Sequence, residues 1–104
     1  MIIQINTDKT INGDERHRDY FSSMIKEDLK RYEAHITRVE VHLKDENGPK
    51  DGVNDMTCVL EARLKSRQPI VVTNQADTVE QALTGAIEKI NSSIGKVFGK
   101  LQDY

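Results

Sequence analysis

The stretch from Asp77 to Leu101, DTVEQALTGAIEKINSSIGKVFGKL, constrains the fold more than any other part of the chain. Val79, Leu83, Ala86, Ile87, Ile90, Ile94, Val97 and Leu101 recur at steps of three and four, so a helix gathers them into one apolar stripe. A helix of this kind draws its stability from packing that stripe, and the rest of the chain has to supply the surface. Lys89, Lys96 and Lys100 are spaced by seven and four and share a second line, about a quarter turn from the stripe, with Ser93 between them. One flank can bury while its neighbour meets an anion. Asp77 or Thr78 caps the start, and the late lysines suit the helix dipole. Gly85, Gly95 and Gly99 each weaken the interior by about 1 kcal/mol relative to alanine.

The covering surface can be read in order. Ile2, Ile3 and Ile5 make a short β-branched strand, and NTDKTING after it is a loop. Asp14 then caps a helix predicted to run to about Ala34, carrying Tyr20, Phe21, Met24, Ile25, Leu29, Tyr32 and, at the limit of the pattern, Ile36. From Thr37 the period changes to two. Val39, Val41 and Leu43 alternate with Arg38, Glu40, His42 and Lys44, the mark of a strand with one buried face. After the turn DENGPKDGVND, a second run sets Met56, Cys58, Leu60, Ala62 and Leu64 against polar neighbours, and the two form a hairpin. Ser66 to Pro69 turns the chain into a third strand from Ile70 to Thr73.

The predicted order is β-α-β-β-β-α. It implies an α+β domain spanning residues 1–104, a four-stranded sheet with two helices packed on one face, because each helix has a single apolar stripe to hide. Arg38, Glu40, His42, Glu61, Arg63 and Lys65 are expected on the open face, where Glu40 and Glu61 can pair with the arginines.

A length of 104 residues with 37% apolar and 31% charged residues supports one modest core and excludes a disordered chain. The start, MIIQINTDKT, lacks the basic and long apolar blocks of a secretion signal, and the lone Cys58 has no disulfide partner, so the expectation is cytoplasmic. The formal charge of −2 argues against nucleic-acid binding by bulk electrostatics, so any such function must rely on a local patch. The charges are uneven: Asp45, Glu46, Asp51 and Asp55 crowd one turn, while Arg63, Lys65 and Arg67 follow with no acid among them.

No catalytic or cofactor constellation emerges. His17, His35 and His42 fall on different elements without ligand spacing, and the acidic turn lacks the spaced carboxylates of a calcium loop, so no metal site is expected. Cys58 shares a face with Met56 and Leu60 and reads as a buried hydrophobe, not a nucleophile. The open sheet face has no aromatic platform for stacking bases. The lysine line itself has an ordinary reading as the wet side of an amphipathic helix and a sharper one as a set of phosphate contacts.

The order of elements, with Asp77, Ala82, Leu83, Lys89 and Lys96 in the last helix and IKEDLKRYEAHITRVEVHL after the first, resembles the ribosome hibernation-promoting factor family, which includes ribosome-associated inhibitor A. The resemblance covers nearly the whole chain. It implies a non-enzymatic protein without cofactor that binds 16S rRNA of the small ribosomal subunit and represses translation during stress by occupying mRNA and tRNA sites. It points to Lys30 and Arg31 on the first helix and Lys89, Lys96 and Lys100 on the second as RNA contacts. No membrane or DNA partner is expected. The alternative is a protein-interaction or self-associating domain of the same fold without ribosome affinity, favoured by the acidic total and by Asn91, Ser92 and Ser93 between the lysines.

Overall fold

The opening isoleucines form strand β1 (Ile2–Thr7), and the alternating runs form β2 (Ile36–Asp45), β3 (Met56–Leu64) and β4 (Ile70–Ala76). The two amphipathic stretches form α1 (Glu15–Asp28) and α2 (Val79–Gln102). The computed structural model describes residues 1–8, 15–45 and 56–102, with the side chains of 1–8, 17–45 and 56–98. The expected cap Asp14, the turn from Glu46 to Asp55, and the side chains of Lys100 and Leu101 lie outside the described residues.

The strands lie side by side in the order β1-β2-β3-β4, with β1 parallel to β2 and the other pairs antiparallel. The order of elements is the predicted one, and α1 serves as the crossover that a parallel pair requires. Both helices cover one face. Phe21, Ile25 and Leu29 from the first helical region and Leu83, Ile87, Ile90 and Ile94 from α2 join Val39, Val41, Leu60 and Ala62 of the sheet in one apolar core. Burying each large aliphatic side chain contributes roughly 1.5–3 kcal/mol, which makes this shared layer the main source of stability.

The first helix ends earlier than its periodicity predicts. The last α-type bond in this region runs from the Leu29 N–H to the Ile25 carbonyl, and the chain then tightens into a 3-10 segment, Lys30–His35. Three residues per turn place side chains three apart on one line, and Tyr32 and His35 accordingly both stack on Phe98, at centroid distances of 6.3 Å and 4.2 Å. Ile36, the outermost member of the helical pattern, instead opens β2 and is buried.

Strand β2 also breaks strict alternation. Ile36 pairs with Leu64 and Arg38 with Arg63, so Thr37 is an extra residue, a bulge whose Oγ1 donates to the Arg63 carbonyl at 3.1 Å. The bulge resets the register, and Ile36 and Val39 both reach the core although their spacing is odd. In α2 the start is settled by Thr78, whose Oγ1 accepts the Gln81 N–H at 3.1 Å. The buried stripe contains Ala82 and Phe98, the latter packed on the 3-10 segment, whereas Val79 and Val97 are only partly buried.

Candidate functional site

The open sheet face is the first place where cations gather, and its geometry neutralises them. Register sets Arg38 opposite Arg63 and Glu40 opposite Glu61, so like charges face each other directly. The pairing that results runs along the strands and across the diagonal. Glu40 meets Arg63 at 2.9 Å and Arg38 at 3.6 Å, Glu61 meets Arg63 at 3.4 Å, and Arg38 also donates to the Gln4 Oε1. His42 is exposed on the same face, while Lys65 falls past the end of β3 in the turn to β4 and does not join the network. This face is a closed set of ion pairs with little charge to offer a polyanion.

The helical side differs. Lys89 and Lys96 line an open groove of about 670 Å³ between α2 and the edge of β4, together with Thr73, Asn74, Gly85, Ser92, Ser93 and one acid, Glu88. The Lys89 ammonium donates to the Thr73 carbonyl at 2.8 Å, and this bond to a neutral acceptor leaves its charge unpaired. Neither lysine has a carboxylate partner among the described residues. The groove depends on one close approach: Asn74 Nδ2 donates to the Ala82 carbonyl at 3.1 Å and reaches the Gln81 carbonyl at 3.5 Å. A Cβ at Gly85 would sit 2.1 Å from that same Nδ2, so the glycine admits the strand side chain to the helix backbone.

Lys30 and Arg31 lie in the 3-10 segment beyond α1. Lys30 lines a second open groove of about 300 Å³ with Ser23, Lys26, Glu27 and Glu33, and the Arg31 guanidinium rests over the Tyr32 ring at 5.9 Å. The structure does not bring these two residues into one channel with Lys89 and Lys96. The flank of α2 that faces α1 carries Glu80, which accepts a hydrogen bond from Tyr20, Thr84, which contacts the Met24 sulfur, and Asn91, which donates to the Asp28 carbonyl at 2.8 Å. Lys89 and Lys96 occupy the opposite flank, against β4. The bond that the Tyr20 hydroxyl donates to Glu80, and secondarily the Glu80 charge, raises the Tyr20 pKa. Arg67, which was not among the expected RNA contacts, rests over the Phe98 ring at 5.2 Å. The acid-free run Arg63, Lys65, Arg67 was its only signal.

Other chemistries find little support in the side chains. Burial pushes the Cys58 thiol up to about 12, so it carries almost no thiolate near neutral pH. Among the described residues no group of three or more His, Cys, Asp or Glu is placed to hold a metal ion, and no helix is long and apolar enough to cross a membrane. His35 is half-buried in its stack with Phe98, and His17 stacks on Phe21 at 6.1 Å.

The family model described as sigma 54 modulation protein / S30EA ribosomal protein matches residues 3–102. The N-terminal domain of Protein Y from Thermus thermophilus superposes with a TM-score of 0.75 at 14% identity, over 93% of this chain and 99% of that one. A ribosomal subunit interface protein from Coxiella burnetii superposes with a TM-score of 0.64 at 14% identity, over 95% of this chain and 99% of that one. No curated protein matches the sequence at a significant level.

Proposed function

Because this chain belongs to the sigma 54 modulation protein / S30EA ribosomal protein family, we propose that it is a ribosome-associated protein of the cytoplasm that binds the small subunit through 16S rRNA. Bound there it represses translation under stress by occupying mRNA and tRNA sites, an effect of occupancy that needs no catalysis or cofactor. The observation that carries this reading is the contrast between the two sides of the sheet. Arg38 and Arg63 are consumed by Glu40 and Glu61, while Lys30, Arg31, Lys89 and Lys96 on the helical side have no ion-pair partner among the described residues. With Lys100, these are the proposed phosphate contacts. Lys30 and Arg31 lie on the α1 side of α2 and Lys89 and Lys96 on its β4 side, so the RNA surface is two separate strips and not one channel.

Such contacts position a protein without reading bases, and each one lost should lower the salt dependence of binding by roughly one counterion. Co-sedimentation with small subunits across a salt series tests the assignment. The expected result is pelleting at low salt that weakens as salt rises, and that weakens further in Lys89→Glu/Lys96→Glu/Lys100→Glu. Absence of pelleting at low salt, or indifference to those changes, rejects it.

A second reading, a self-associating domain, draws on one specific feature. Strand β4 (IVVTNQA) is an edge strand without a charged residue, and Val71 on it is 55% exposed, so it lacks the usual guards against pairing with another copy. Light scattering decides it: an oligomer that fails to bind ribosomes favours this reading, and a monomer that binds them dismisses it.

A further inference from the structure

At one end of the molecule Arg31, already among the proposed RNA contacts, meets two cations that are not, Lys65 and Arg67. The 3-10 segment, the end of α2 and the β3–β4 turn converge there. The Lys65 N–H donates to the His35 carbonyl at 3.0 Å, which ties the turn to the 3-10 segment. Ser66 takes a left-handed backbone conformation, φ 59°, and reverses the chain between Lys65 and Arg67. Arg67 then lies over Phe98, Tyr32 sits beside Phe98 at 6.3 Å between ring centroids, and Arg31 lies over Tyr32, so each of two neighbouring rings carries one guanidinium.

Three features of this end suit an anion. Arg31, Lys65 and Arg67 are all exposed, and none has a carboxylate partner among the described residues, in contrast to Arg38 and Arg63 on the sheet. A guanidinium held against a ring still has N–H groups to donate and loses less conformational freedom on meeting a phosphate. The rings themselves are taken: Phe98 is 5% exposed, with His35 at 4.2 Å and Arg67 on it, so a nucleobase has no free face to stack on. The nearest acid on the 3-10 segment, Glu33, lines the groove with Lys26 and Lys30 and forms no ion pair with the three cations.

We propose that Arg31, Lys65 and Arg67, with both guanidiniums held on the Tyr32 and Phe98 rings, form an end-on clamp for the sugar–phosphate backbone of RNA that grips without sequence preference. This rests on the ribosome-binding reading and adds Lys65 and Arg67 to it. The clamp is built from the β3–β4 turn, and it gives Arg31 partners that the α2 lysines do not provide.

The test measures binding of the full chain to small ribosomal subunits, and to a short single-stranded RNA of mixed sequence, over a salt series. Arg67→Glu and Lys65→Glu should each weaken both by about tenfold, the scale of a lost charge-assisted hydrogen bond, and lower the salt slope by roughly one. Arg67→Lys keeps the charge but not the planar stack and should fall between, with the slope preserved. Circular dichroism checks that each variant is folded, and the slope is a readout that a purely structural role would not move. If the native chain fails to pellet with subunits, both readings fall. If it pellets and the Lys65 and Arg67 variants pellet equally well, the clamp alone is overturned. Equal loss of binding to polyglutamate, with RNA binding unchanged, also overturns it and makes this end a site for acidic protein segments.

Discussion

Asn74 can hydrogen-bond two carbonyls of α2 only because position 85 is bare. Gly85→Ala should therefore destabilise the native chain, since Asn74 must withdraw and leave its bonds, even though alanine favours the helix. In an Asn74→Ala background the same change should stabilise by about 1 kcal/mol, the ordinary helix gain. Chemical denaturation of the four proteins in that cycle reads the reversal of sign, and a common sign in both backgrounds would show that Asn74 does not keep the position bare. Cys58 gives a second residue-scale prediction. Its folded pKa of about 12 stands above the unfolded 9.0, so between these values only the unfolded chain loses the proton. Its contribution is intact below pH 9.0 and falls by about 1.4 kcal/mol per pH unit above it. Cys58→Ala should remove that slope, whatever it costs in packing, when urea midpoints are compared below and above pH 9.0. The sequence made Cys58 legible, because its face followed from alternation. It left Asn74 illegible, because a strand side chain's reach to a helix depends on how closely the two layers approach.

At the scale of elements, periodicity located both helices and all the strands, and it failed where tertiary contacts altered the period. The first helix kept helical spacing through Tyr32, yet α1 ends at Asp28 because Tyr32 and His35 are drawn onto Phe98 in a tighter spiral. The Thr37 bulge was equally hidden, since Ile36 fitted the end of the helical pattern as readily as the start of a strand. Phe98→Ala should cost about 3–5 kcal/mol and release the 3-10 segment before α1, which amide exchange at Lys30–His35 can follow. Exchange in that segment no faster than in α1 would mean that the stack does not hold it. At the other end of α2, Thr78→Ala should cost about 1 kcal/mol with Thr78→Ser close to neutral, the signature of a cap read by thermal melting.

At the scale of the molecule, the proposed RNA surface was only half legible. Periodicity placed Lys89 and Lys96 on one flank of a helix, but which flank faces the other helix is decided by docking, and it is Asn91 and Glu80 that do. The open face was read more fully, for alternation put Arg38, Glu40, Glu61 and Arg63 together, though not the register that opposes like charges. Glu40→Gln should accordingly lower stability by up to about 1 kcal/mol at low salt and less at high salt, because it leaves two arginines facing each other. A loss that does not shrink with salt would locate the effect in packing instead.

Strand β1 is the one strand joined in parallel, and β2 is its sole neighbour. Among the described residues its outer rim of backbone groups has no ladder to join, and Ile2 at its start is 60% exposed. The antiparallel meander from Ile36 to Ala76 pairs strands that follow one another in the chain, whereas β1 must wait for the whole first helix to swing it home. The amino terminus is therefore the last seam to close and the first to fray, and deuterium should enter the amides of Ile2–Thr7 well before those of β3.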